Sequence, residues 1–415
     1  MNMMSPPPPL AAVIAIPVKD EEERIGPCLR ALARAARKAC GAVQVHDVVL
    51  LLNNCRDATA DVIRQLSPRL PFPVSVIEVQ LPSEHAHAGR ARRLAADHAA
   101  KSLETCAGNG VILITDADSR VSPDWLLAQA LCFAEGADAV AGAISIDRRD
   151  LARWPATLRR RELNEALYGR LLSRLAHLLD PQEADPWPRH DQASGASIGV
   201  TLHAYHLSGG IPEIRVGEDR AFVAALKCLG LRVRHDARVR VTTSGRLQGR
   251  AEGGAADTIC SRASCDGAPC DERLEPVAQH KLRLHRRAGL RRNYHPRQFH
   301  HVWSQLESCH PMLRRTPVAP QTLPNEIAKA RRELRLLSTL SPDIEPIAFA
   351  PFCAHLVGER TQTVSKQPDG VIAAQGIVRL AGVVDHYDIA PNGKAGSDTL
   401  PAKREVGRRE IVEHL

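Results

Sequence analysis

The chain has 415 residues, with 55 Lys and Arg against 47 Asp and Glu, a formal charge of +8 when histidine is neutral. That length allows two or three domains, and 44% apolar with 25% charged residues excludes a wholly disordered chain. Aromatic residues at 3% speak against a stacking platform for single-stranded nucleic acid, and eleven cysteines without short paired spacings do not read as a disulfide framework.

Residues 1–10 are proline-rich and lack a basic stretch ahead of an apolar one, so they read as a disordered tail rather than a secretory signal, with the cytoplasm as the expected location. No run approaches the roughly 18 apolar residues of a membrane span. Residues 11–17 form a compact apolar run, the pattern of a buried strand. A helix follows over 19–39, with Ile25, Leu29, Leu32 and Ala36 at helical spacing. Residues 47–52, 74–79 and 111–115 read as further strands, and 58–66 and 89–103 as the helices between them. This alternation predicts an α/β fold, a mostly parallel Rossmann-like sheet with helices on both faces. In such sheets ligands bind at the carboxyl ends of the strands.

Further along, 124–135 reads as a helix, 139–146 as a strand, and 151–179 as a long basic helical stretch broken at Pro155. The segment 180–192 is a loop crowded with Pro181, Pro186 and Pro188, followed by an apolar helix over 221–229 and a strand over 238–242. Residues 281–335 hold 13 Lys and Arg against three Glu, which reads first as a solvated helical face and second as a surface for an anionic membrane. Beyond 341 the periodicity is poor. The expected organisation is an α/β domain over 11–255, divided near 120 into a nucleotide-binding half and an acceptor half. A basic, mainly helical extension over 256–340 and a loosely structured region over 341–415 complete it.

Five motifs stand at strand ends. Thr115-Asp116-Ala117-Asp118 follows the fourth strand, and carboxylates spaced i, i+2 there offer hard oxygen ligands to Mg2+ or Mn2+. An aspartate after a strand equally well caps the next helix. Gly217-Glu218-Asp219-Arg220 opens the 221–229 helix, where a carboxylate suits either the helix N-terminus or a general base for an acceptor hydroxyl. The acidic stretch from Lys19 to Arg24 follows strand one, and Asn53-Asn54-Cys55-Arg56-Asp57 makes an Asx-rich turn after strand two. Gly89 with Arg90, Arg92 and Arg93 opens a helix that can grip a diphosphate through N–H groups and guanidinium forks. Cys260, Cys265 and Cys270, with four residues between each and the next, have a spacing marginal for the usual zinc pairs.

In order and placement these motifs resemble the family-2 glycosyltransferases, inverting enzymes of GT-A fold, over about residues 11–255. The matching stretches are IPVKDEEERI, NNCRDATADVI, GRARRLAAD, LITDADSRVSPDWL and GEDRAF. DQASGASIGV resembles the acceptor-side wall, and TTSGR with Arg250 resembles the segment that closes the donor site in one branch. The resemblance implies metal-assisted, in-line, inverting transfer of a sugar from a UDP- or GDP-linked donor to a hydroxyl acceptor. Asp118 with Asp116 would hold a divalent metal, Mn2+ or Mg2+. Pro17, Asp20, Glu21, Asn53, Asp57, Arg92 and Asp116 would line the donor nucleotide. Asp219 would be the base, and Gly195, Ala196, Glu218 and Arg246 would face the acceptor. Asn53 and Asn54 stand where many members carry acidic residues, which leaves the base open between uracil and guanine. The Q-x-x-R-W signature of processive synthases is absent, which points to single transfer. Two rival readings are a sugar-phosphate nucleotidyltransferase and a non-catalytic binding protein acting through its basic C-terminal third. The first should carry a glycine-rich phosphate loop after strand one, where this chain has KDEEER.

Overall fold

The structure, a computed structural model, describes residues 8–105, 110–250, 253–265 and 267–340. Of the expected tail over 1–10, residues 1–7 lie outside the described residues, as does the expected loose region 341–415, whereas Leu10 already pairs within the sheet. Strand β1 (Leu10–Val18) is apolar along its whole length because it is covered on both faces. Ala12, Ile14, Ile16 and Val18 point into one core, and Val13 and Ala15 into another.

The first core is closed by α1 (Ile25–Lys38) and α4 (Trp125–Ala134), the second by α3 (Ala88–Glu104) through Ala91, Ala95, Ala96, Ala99 and Leu103. Around β1 lie β2 (Val43–Asn53), β3 (Val74–Val79) and β4 (Val111–Ile114), all parallel, with α2 (Thr59–Leu66) after β2. The remaining strands are β5 (Arg120–Val121), β6 (Ala139–Ile146), β7 (Ile198–Thr201) and β8 (Val233–Thr243). The sheet order is β3-β2-β1-β4-β7-β6-β8-β5. The expected α/β class with a mostly parallel sheet is therefore present. Its departures are β7, antiparallel to both β4 and β6, and the edge strand β5, antiparallel to β8. At four residues β7 is too short to carry a period of its own.

Pro155 separates α5 (Arg148–Arg153) from α6 (Ala156–Leu179), as expected of a residue that cannot donate an N–H inside a helix. After β7 come α7 (Leu202–Leu207) and α8 (Glu218–Cys228). Beyond β8 the chain is helical: α9 (Ala255–Ser264), α10 (Val277–Asn293), α11 (Pro296–Cys309) and α12 (Leu323–Leu340). Tyr168, Leu171, Leu172 and Leu175 of α6 build a third core with Val277 and Leu284 of α10 and Ile327, Ala330 and Leu334 of α12. The basic segment 281–335 is not wholly a solvated face. Arg283 is buried against Glu275 at 3.0 Å, and Arg291 holds Asp180 bidentately at 2.9 and 3.0 Å. Among the described residues no helix is long and apolar enough to cross a membrane.

Candidate active site

The turn after β4 is anchored by Thr115, fully buried, whose hydroxyl donates to the Ala196 carbonyl at 2.8 Å. That bond ties the Asp116–Asp118 turn to the segment entering β7. Arg92, on the second turn of α3, has a side chain only 8% exposed and donates to Asp116 Oδ1 at 2.7 Å. The same guanidinium pairs with Glu218 at the start of α8. Gly195 lies directly on it, where a Cβ would stand 2.3 Å from the guanidinium carbon, so only glycine permits this approach. The Gly195 N–H in turn donates to Asp219 Oδ2 at 2.9 Å. One arginine thus gathers Asp116, Glu218, Gly195 and, through Gly195, Asp219. Gly217, at φ +83°, makes the left-handed turn that starts α8 with its carboxylates facing this point.

Asp118 is the companion carboxylate of the turn. Arg246 reaches its Oδ2 at 3.2 Å, and the hydroxyls of Thr243 and Ser119 reach Oδ1 at 3.4 Å. Burial, reinforced by Asp116 beside it, pushes the Asp118 carboxyl up to about 6. Arg246, expected to face the acceptor, reaches the loop after β1 and holds Glu21 at 2.9 and 2.5 Å. The segment bearing Arg246 is latched by residues the sequence did not single out. Asp150 accepts the Gly245 N–H at 2.9 Å and pairs with Arg24 at 3.1 Å, and the Trp154 indole donates to the Gly245 carbonyl at 2.7 Å. No spacing links positions 24, 150, 154 and 245, so nothing in the sequence signals the latch.

The residues singled out in the first two loops knit those loops together. Pro17 is the last residue but one of β1, and Asp20, at φ +51°, accepts the Arg56 N–H at 2.7 Å. Asp57 spends Oδ1 on Thr59 and Oδ2 on the Glu22 N–H at 3.1 Å. Both aspartates, expected at the donor nucleotide, tie these two loops to each other. Asn53 is buried at the end of β2 with its Oδ1 unpartnered, while Asn54 clasps Leu81 through both amide atoms at 2.9 Å. Ala196 is buried beneath the turn.

Among the described residues no group of three or more His, Cys, Asp or Glu side chains gathers into a cage for a metal ion. What the site offers is two adjacent carboxylates at one turn. That donor set suits a divalent ion which takes its other ligands from substrate oxygens and water.

Residues 13–186 match the family model described as glycosyl transferase family 2. The matched span contains the Asp116–Asp118 turn and Arg92, and ends before Gly195, Asp219 and Arg246. No curated protein sequence matches the chain. Among solved structures, it is similar to S. aureus TarS in complex with UDP-GlcNAc, at 16% identity and a TM-score of 0.41, over 79% of this chain and 81% of that one. It is similar to a mannosyltransferase from Pyrobaculum calidifontis in complex with GDP-Man and Mn2+, at 16% identity and a TM-score of 0.40, over 81% and 77% of the two chains. A third likeness is to glucosyl-3-phosphoglycerate synthase from Mycobacterium tuberculosis in complex with Mn2+ and UDP-glucose. It has 15% identity and a TM-score of 0.34, over 62% and 76%. Residues 13–186 of this chain thus form a glycosyl transferase family 2 segment.

Proposed function

We propose that the protein transfers a sugar from a nucleoside-diphosphate donor, UDP- or GDP-linked, to an acceptor hydroxyl by a single in-line displacement that inverts the anomeric carbon. The catalytic unit spans about residues 11–255, with the donor half ahead of residue 120. The observation that carries this reading is the convergence on Arg92. A turn with two carboxylates, the N-terminus of α8 and the Gly195 wall, all far apart in sequence, meet at one guanidinium.

A divalent cation held by Asp118, with Asp116 alongside, would neutralise charge on the donor diphosphate. Asp118 suits that role. Its carboxylate is crowded by Asp116, and its contacts at 3.2–3.4 Å are loose enough to be exchanged. Asp219 is the base that takes the acceptor's proton. Its two oxygens accept the Gly195 and Arg220 N–H groups at 2.9 and 2.7 Å, which fixes the carboxylate's orientation while leaving lone pairs for the hydroxyl. Arg92 positions Asp116 and Glu218 rather than contacting substrate, and Arg246 joins the closing segment to the donor loop.

Asp219→Asn keeps the shape and cannot accept a proton, so transfer should fall about 10²–10⁴-fold with donor affinity nearly unchanged. Glu218→Gln removes a carboxylate turned toward Arg92, so its main effect should be on thermal stability. Turnover lost in Glu218→Gln and retained in Asp219→Asn would move the base to the neighbouring carboxylate.

A further inference from the structure

Away from that crevice, a cavity of about 530 Å³ lies among α6, the loop over 180–191, the C-terminal end of α8, the start of β8, and helices α10 and α11. Its size is that of a small-molecule site. Eight Lys and Arg side chains line it against five carboxylates, a surplus of three positive charges around the cavity. The carboxylates are already shared. Asp180 serves both Arg287, at 3.3 Å, and Arg291, while Asp185 serves Arg189 at 3.2 Å, Arg234 at 3.1 Å and His235 at 2.8 Å. Lys227 has no carboxylate in ion-pair reach among the described residues, and its nearest polar partner is His235 Nε2 at 3.4 Å. Arg315, at the rim, makes no ion pair among the described residues.

Cations crowded this way are costly unless an anion joins them. Burial, with Arg189 adding to it, pulls the Lys227 ammonium down to about 8, and burial pulls the Arg287 guanidinium down to about 10 despite Asp180. The chamber is not part of the donor crevice. Lys227 lies nine residues along α8 from Glu218, about 13 Å of helix. The β8 residues that line the chamber open that strand, whereas Thr243, which reaches Asp118, ends it.

We propose that this chamber binds a small, multiply charged phosphate-bearing molecule, gripped by Lys227, Arg287, Arg291 and Arg315. Guanidinium forks match phosphate oxygens two at a time, and the unmatched ammonium supplies a point charge. The chamber joins the family-2 segment to the helices that follow it, so its occupant would bind both.

The test is isothermal titration of the full chain with inorganic pyrophosphate in EDTA at constant ionic strength, with citrate as the carboxylate comparison. Pyrophosphate should bind the wild type saturably. Lys227→Met and Arg315→Gln should each weaken it about tenfold or more. Arg315→Gln, at the exposed rim, serves if Lys227→Met does not fold. Asp118→Asn should bind pyrophosphate as the wild type does, which separates the chamber from the donor crevice. Loss of binding in Asp118→Asn with retention in both chamber variants would overturn the proposal. So would citrate binding without pyrophosphate, or heat no greater than that of a sodium chloride control.

Discussion

Arg92 does with one guanidinium what several residues would otherwise share. It sits beneath Asp116, answers Glu218, and gives Gly195 the flat surface on which the wall before β7 rests. Removing a buried partner leaves charges without compensation, at about 3–5 kcal/mol. Arg92→Met should therefore lower the thermal midpoint sharply, and Arg92→Lys should restore it only in part because the fork is lost. Asp118→Asn should behave in the opposite way. Its charge is resisted by burial and by Asp116, so the amide should leave the thermal midpoint level or higher while transfer disappears in a nucleotide-sugar turnover assay. Arg92 and both aspartates were legible in the sequence because each follows a strand or opens a helix. The inward turn of Glu218 was not, since an acidic residue at a helix start satisfies the helix equally well whichever way it points.

Among the elements, the segment after β8 shows how a short stretch with no regular structure is made rigid. Asp150 receives the Gly245 N–H and pairs with Arg24, and Trp154 caps the same glycine's carbonyl, so residues 243–246 are held from the helix α5 side. Arg246 then spans from that segment to Glu21. Asp150→Asn weakens the Arg24 pair, and it should raise KM for the nucleotide sugar several-fold with a smaller change in kcat, read from steady-state kinetics. Long elements such as β1, β2 and α3 were plain in the sequence because each carries a full period of apolar residues. Strands β5 and β7, at two and four residues, were not, because their place comes from partners in β8, β4 and β6.

For the molecule as a whole, acid should be the weak side. His190 is buried and its Nδ1 accepts the Gln192 N–H, and burial pulls the imidazole down to about 4. The unfolded chain takes a proton near 6.5 and the folded one does not until about 4. Above 6.5 this residue contributes no pH dependence. Between 6.5 and 4 it should cost about 1.4 kcal/mol per pH unit. Denaturant midpoints measured from pH 7 down to 4.5 should fall, and His190→Gln should flatten that slope. Removing residues 341–415 should leave nucleotide-sugar binding intact, because every residue of the candidate site precedes 255; calorimetry on the truncated chain checks this. The basic stretch was the least legible part. Arg287 and Arg291 find Asp180 from 107 and 111 residues away, and no local pattern distinguishes such arginines from solvated ones.

The reversed strand β7 has a consequence of its own. Its first residue, Ile198, pairs with the last residue of β4, Ile114. The chain therefore arrives at the reaction edge along one route and departs from it along another. The loop entering β7 and the turn leaving β4 come together at one edge of the sheet, tied by the Thr115 hydroxyl on the Ala196 carbonyl. Under the proposed function, the turn leaving β4 would face the donor and the loop entering β7 the acceptor, so both would meet where these two strands pair end to start.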